Sequence, residues 1–300
     1  MDRLEKNGYR YAGASKEAAV KICEWAKKSI RGEGTCYKQK FYGIESHRCL
    51  QMTPGVRNCT MKCVYCWRDI TITVPGWDKT VDEPAEIIDE CIQAHRKLLE
   101  GFKGLESADK KKIKEAQEPK HAAISLAGEP TLYPKISEMI EEYAKRGMTT
   151  FLVSNGTLPE RIEALEKEPT QMYISLDTGD EGIFQKINQP VIKNAWEKVN
   201  QSLELMKEMK CRTVLRATVV KGINDTGWDK YAKIALKAEP DFIEIKSYMC
   251  IGFSRERGLR LDNMPKHEEI MEHALKLALE MGYKVKDEKK DSRVALISKK

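Results

Sequence analysis

Short apolar segments alternate with amphipathic stretches along most of the chain, and this alternation restricts the fold more than any other feature. "CLQMTP", "HAAISLAGEP", "MTTFLVSNGT", "MYISLD", "CRTVLRATVV" and "DFIEIKSYM" read as strands. Between them, Pro84 opens a helix with the apolar face Ile87, Ile88, Cys91, Ala94, Leu98 and Leu99, closed by Gly101. "KISEMIEEYAKRG", "RIEALEKE", "AWEKVNQSLELMKEMK" and "GWDKYAKIALKAE" are the further helical stretches. Such alternation predicts an α/β fold with a parallel sheet built from βαβ units. About six units are too few for a closed eight-fold barrel, so an open, partial (β/α)6 barrel is expected. Ligands gather beyond the carboxyl ends of such strands, here the "AGEP", "SNGT", "SLDTG" and "VKGIND" loops.

The 300 residues are 41% hydrophobic, enough for a substantial core. No stretch approaches the roughly 18 apolar residues of a membrane span, and the first residues hold no apolar signal segment, so a cytoplasmic protein is expected. With 52 basic and 46 acidic residues, net charge +6 names no partner; any claim on nucleic acid rests on where the charge lies. In a reducing cytosol, closely spaced members of the nine cysteines read as metal or cluster ligands rather than disulfides.

"CTMKCVYCWRD" sets Cys59, Cys63 and Cys66 at intervals of four and three, with the aromatic Tyr65 before the last. Four thiolates close a metal site; three leave a coordination position open. This CxxxCxΦC pattern followed by partial-barrel units resembles the radical S-adenosylmethionine superfamily. The resemblance implies that the three thiolates hold a 4Fe-4S cluster whose fourth iron chelates S-adenosyl-L-methionine. "AGEP" resembles the superfamily's GGEP loop, with alanine for the first glycine, and implies cofactor contacts from Gly128, Glu129 and Pro130. Asn155, beside Ser154, and Asp177, near Ser175, fall where the superfamily places further cofactor contacts. Asn155 is equally a plain turn residue, and Asp177 a helix cap. Arg216 and Asn224 suit a carboxylate or ribose, or a strand-end salt bridge.

Cys23, Cys36 and Cys49 form a second triad at equal intervals of thirteen. Cys23 falls on an expected helix, "SKEAAVKICEWAKKSIRG", which fits a core thiol; Cys36 sits in a glycine-flanked basic loop, a poor place for one. This triad, "CYKQKFYGI", "CTMKCVYCWRD" and "KSYMCIGFSRERGLRLDNMP" together resemble the 4-demethylwyosine synthase family over nearly the whole chain. That resemblance implies two 4Fe-4S clusters, the auxiliary one on Cys23, Cys36 and Cys49. It implies a substrate tRNA-Phe carrying N1-methylguanosine at position 37 in the anticodon loop, pyruvate as two-carbon donor, and a lysine that forms a Schiff base with pyruvate. The lysine maps to Lys38, with Lys40 two residues away and Arg48 adding basic character; a solvated charge pair is the bland alternative. Residues 1–50 are then a cluster-binding extension, 51–265 the barrel, and 266–300 a helix and strands packed on it as one unit.

Binding tRNA calls for phosphate contacts and stacking platforms. Arg255, Arg257 and Arg260 beside Phe253, Arg68 beside Trp67, and Tyr248 are the candidates. Lys103, Lys110, Lys111, Lys112 and Lys114 of the insert either add phosphate contacts or form a solvated helix face. Cys91, Cys211 and Cys250 read as core or incidental thiols. A monomer drawing electrons from a separate donor protein is expected. The alternatives are another two-cluster radical enzyme, such as a glycyl-radical activase or peptide-modifying enzyme, or a non-catalytic metal-binding protein that binds RNA.

Overall fold

A computed structural model describes residues 3–299, which divide into two compact units. The first comprises Met1–Asn58, Trp77–Val153 and Leu165–Thr170. Its strands are β1 (Arg10–Ala12), β2 (Ala18–Lys21), β3 (Cys49–Thr53), β4 (His121–Ile124) and β5 (Thr149–Ser154), ordered β1-β2-β3-β4-β5. β1, β2 and β3 pair antiparallel, and β3, β4 and β5 pair parallel, with Cys49 opposite His121 and His121 opposite Thr149. Alternation sends Leu50 and Met52, both fully buried, to one face, and the half-buried Cys49 and Gln51 to the other. Helix Pro84–Leu99 forms where its periodicity predicts, burying Ile87, Ile88, Cys91 and Leu99.

One expectation fails here. Residues 18–21 form β2 rather than the start of a helix, and the helix begins only at Glu24, with Cys23 as its N-cap. Ala18, Ala19 and Val20 are fully buried between two antiparallel partners, so tertiary pairing overrides the helical reading of "KEAAVKIC". The lysine insert resolves as helix Lys110–Ala116, capped by the Asp109 carboxylate, which accepts from the amides of Lys111 and Lys112. Ile113 and Ala116 pack with Ile22, Ala26 and Ile30, and Lys112 Nζ donates to the Ser29 carbonyl at 2.9 Å. That helix is therefore a buttress for helix Glu24–Ile30 rather than a wholly solvated face.

The second unit comprises Cys59–Gly76, Ser154–Ala164 and Gln171–Lys300. β6 (Gln171–Ser175), β7 (Arg212–Val219) and β8 (Phe242–Ser247) run parallel. β10 (Val294–Ser298) pairs antiparallel with β8, and β9 (Lys284–Lys289) with β10. The six segments expected as barrel strands are β3 to β8, three parallel strands in each unit. Helix Glu181–Asn188 was not among the expected elements, although Asp180, its N-cap, and the buried Phe184 and Ile187 carry the signal for it.

Candidate active site: two cysteine triads

In the first unit the backbone brings the upstream triad to one place. Cys23 caps helix Glu24–Ile30, Cys36 caps helix Tyr37–Tyr42, and Cys49 opens β3. Ser46 fixes the second of these: its Oγ accepts from the Cys36 amide at 2.9 Å and donates to Gln39 Oε1 at 2.8 Å. Burial raises the Cys49 thiol above its ordinary value, the neighbouring Cys23 and Cys36 raise it further, and the Lys38 ammonium pulls it back. Cys23 is likewise raised by burial and eased by the amides of Trp25 and Ala26 at the helix start and by Lys38. Three thiols thus share one electrostatic neighbourhood with one buried lysine.

Lys38 is 8% exposed, and its Nζ lies 4.6 Å from the centroid of the Phe151 ring. Phe151 stands opposite Ala123, and Ala123 opposite Gln51, on the sheet face that carries Cys49. Lys40, two residues on and about 200° around the helix, is exposed. Gly43 ends that helix in the left-handed region at φ 74°, where a side chain is disfavoured.

The "AGEP" loop belongs to the same unit and is held by backbone contacts. The Glu129 amide donates to the Asn58 carbonyl at 2.7 Å, and Thr53 Oγ1 to the Ala127 carbonyl at 2.6 Å. Gly128 has φ +72°, and a Cβ there would stand 2.2 Å from the Gly55 oxygen and 2.5 Å from that of Asn58. Only glycine fits. Glu129 is buried, and its carboxylate accepts from the Thr131 amide and hydroxyl; Pro130 opens the turn that follows.

In the second unit, Cys59, Cys63 and Cys66 lie on the loop after Asn58. Amide donors reach two of the sulfurs: Asn155 Nδ2 stands 3.9 Å from Cys59 Sγ and Asn188 Nδ2 3.6 Å from Cys63 Sγ. Burial pushes the Cys63 thiol well up, and Cys66, Asp177 and Cys59 push it further. Asp177 is buried and accepts three bonds: from Tyr65 OH at 2.6 Å, Asn188 Nδ2 at 2.7 Å and the Thr218 amide at 2.8 Å. It therefore orients Tyr65 and Asn188 against the cysteine loop rather than capping a helix. Asn155 Oδ1 accepts from Thr157, and its amide also donates to Thr60 Oγ1 at 2.8 Å.

The late segment clamps this loop. Phe253 donates its amide to the Trp67 carbonyl at 3.0 Å, and Gly252, at φ +58°, presses so closely that a Cβ would sit 2.3 Å from the same oxygen. Arg257 donates to the carbonyls of Val64 and Cys66. Tyr248 and Cys250 pack with Ile187, Val220 and Leu259 beneath Val64 and Tyr65.

Several expected tRNA contacts stand elsewhere. Tyr248 is 1% exposed, with its hydroxyl bonded to Ser254 at 2.8 Å, so no base can stack on it. Arg68 is 4% exposed and faces Cys59, Cys66 and Cys63 rather than solvent. Arg257 is spent on the loop carbonyls. Arg255 and Arg260 are exposed, Trp67 and Phe253 half-buried. Arg216 takes the salt-bridge alternative: its Nε lies 3.1 Å from the buried Glu244 carboxylate, and its guanidinium 4.6 Å from the Tyr173 ring. Asn224 is likewise occupied, accepting from the Val220 amide and donating to the Asp177 and Thr218 carbonyls.

A single tetrahedral zinc holds sulfurs about 2.3 Å from the metal and so roughly 3.8 Å from each other. Among the described residues, the group whose ligand atoms all lie within 4.8 Å is Glu45, His47 and Glu115, not either cysteine triad. Three thiols beside one cation, Lys38 or Arg68, are a donor set that suits an iron-sulfur cluster with one position left open.

Comparison with known proteins decides the family. Residues 107–235 match the radical SAM superfamily, and residues 237–299 match a family described as wyosine base formation. The S-adenosyl-L-methionine-dependent tRNA 4-demethylwyosine synthase of Pyrococcus abyssi is 49% identical, covering 98% of this chain and 86% of that protein. The chain belongs to the tRNA 4-demethylwyosine synthase family. The Methanocaldococcus jannaschii synthase is 42% identical over 98% of this chain and 94% of its own length. A solved structure of TYW1 with a lysine-pyruvate adduct bound superposes with TM-score 0.88 at 42% identity, covering 99% of this chain and 94% of that one. The α/β fold and the radical-SAM enzyme class of this synthase family thus agree with the sequence reading, and a partial barrel is consistent with them.

Proposed function

We propose that this chain converts N1-methylguanosine-37 of tRNA-Phe to 4-demethylwyosine, with pyruvate supplying two carbons. The observation that carries the reading is the burial of Lys38 among three convergent thiols, Cys23, Cys36 and Cys49, while its neighbour Lys40 faces solvent. It is supported by the relative whose structure holds a lysine-pyruvate adduct. Cys59, Cys63 and Cys66 would hold the cluster that binds S-adenosyl-L-methionine, and the upstream triad a second 4Fe-4S cluster. Bound there, these groups supply one-electron cleavage of a sulfonium and abstraction of a hydrogen atom from the N1-methyl group.

Lys38 acts on pyruvate through its amine. Nucleophilic attack on the keto carbon, with loss of water, gives an imine whose carbon accepts a new bond more readily than the ketone does. The low exposure of the site keeps water from reversing that step. The Gly128 turn presents backbone groups to S-adenosyl-L-methionine, with Glu129 and Pro130 fixing its exit. Tyr65, Asp177 and Asn188 hold the cysteine loop in register, and Asn155 supports Cys59. Trp67 and Phe253 offer stacking surfaces to the anticodon loop, and Arg255 and Arg260 offer phosphate contacts. Among the described residues no helix is long and apolar enough to cross a membrane; the reading proposed here is of a cytoplasmic monomer served by a separate electron-donor protein.

The test is anaerobic reconstitution followed by assay with N1-methylguanosine-containing tRNA, S-adenosyl-L-methionine, pyruvate and dithionite as the one-electron reductant, reading the tricyclic base by mass spectrometry. Product formation that depends on pyruvate supports the reading; methylguanosine returned unchanged by a fully iron-loaded protein sinks it.

A further inference from the structure

We propose that Arg68 is the fixed counter-charge of the Cys59, Cys63 and Cys66 site, a positioning residue that acts through the thiolates and eases one-electron reduction of the cluster they hold. This rests on the cluster assignment above. A guanidinium stays charged at any physiological pH, yet this one is 4% exposed. Its surroundings are unusual for a buried cation. It stands two residues after Cys66 on the cysteine loop, its electrostatic surroundings are set by Cys59, Cys66 and Cys63, and its hydrogen bond runs from Nη1 to the Asp69 carbonyl at 3.3 Å. After burial, the thiols rather than any carboxylate are the largest electrostatic influences on it.

A buried cation without a partner anion is strongly destabilising, so the sulfurs must supply the negative charge. Neutral thiols cannot do this; thiolates bound to iron can. When an electron enters the cluster from a one-electron donor protein, the site gains one negative charge, and a nearby fixed positive charge favours the reduced form over the oxidised one. No proton moves at Arg68. Asn155 and Asn188 also donate to these sulfurs but carry no net charge; Arg257, the other guanidinium at this loop, is held on the carbonyls of Val64 and Cys66, so Arg68 is the charge set against the sulfurs themselves.

The test is a potentiometric titration followed by electron paramagnetic resonance, on reconstituted wild type, Arg68→Lys and Arg68→Met. The signal followed is the one that changes on adding S-adenosyl-L-methionine, which isolates this cluster from the auxiliary one. Arg68→Met is expected to shift the reduction equilibrium about tenfold toward the oxidised form, 59 mV for a one-electron couple, with Arg68→Lys within about threefold of wild type. A methionine variant that loads no iron beside a lysine variant that loads fully also supports the proposal, because charge is then the difference. Loaded clusters with wild-type midpoints in both variants overturn it, as does loss of iron in both, which assigns Arg68 to loop packing. A wild type with no signal responsive to S-adenosyl-L-methionine overturns the cluster assignment itself.

Discussion

At the residue scale, burial separates side chains that look alike in the sequence. Lys38 and Lys40 share one short helix, yet one is enclosed with three thiols and the other is exposed. Lys38→Ala is expected to abolish the adduct trapped by borohydride with pyruvate while S-adenosyl-L-methionine cleavage persists; Lys40→Ala is expected to keep both. Intact-mass measurement after trapping decides between them. The same reasoning applies to Arg216. Its partner Glu244 is fully buried and also accepts from Tyr173 OH at 3.0 Å. Glu244→Ala leaves the guanidinium without its anion and is expected to lower stability by about 3 kcal/mol, read from denaturant unfolding.

At the element scale, two glycines let backbone segments meet where a methyl group cannot fit. Gly128 seats the loop after β4 on the carbonyls of Gly55 and Asn58, and Gly252 seats the segment after β8 on the carbonyl of Trp67. Both also lie at positive φ, so alanine is strained twice over. Gly128→Ala is expected to weaken S-adenosyl-L-methionine binding at least about tenfold, the equivalent of 1.4 kcal/mol, by calorimetry. Gly252→Ala is expected to lower the iron retained by the Cys59, Cys63 and Cys66 loop, while the strand and helix content seen by circular dichroism stays unchanged.

At the scale of the whole molecule, one titration reports on the core and one metal analysis on the clusters. His95 lies fully buried on helix Pro84–Leu99, and burial depresses its pKa to about 4. The unfolded chain, with an ordinary value near 6.5, binds the proton more readily. Stability from the neutral ring is therefore complete above pH 6.5 and is lost as pH falls toward 4, by about 3 kcal/mol in all. His95→Leu is expected to flatten the pH dependence of unfolding across that window. Iron content tests the cluster assignment: about eight irons per chain, falling to about four in the variant with Cys23, Cys36 and Cys49 all changed to alanine, since each cubane holds four. Four irons in both proteins would reduce the upstream triad to packing.

What the sequence determined by itself is what local period and spacing encode. The six parallel strands follow from short apolar runs and the long helices from a 3.6-residue repeat, and the close thiols of "CTMKCVYCWRD" marked a metal or cluster site whose chemistry was implied by resemblance to the radical S-adenosylmethionine superfamily. Tertiary structure decided what depends on partners distant in the chain. Residues 18–21 became a strand because β1 and β3 flank them, and Arg68 became an interior cation although its neighbours in sequence suggested a surface one. Asp177, legible as a helix cap, is drawn instead to Tyr65, Asn188 and Thr218, 112, 11 and 41 residues away. Local propensity differences amount to about 1 kcal/mol or less per residue, whereas stranding a buried charge costs several; where the two conflict, the packed interior prevails.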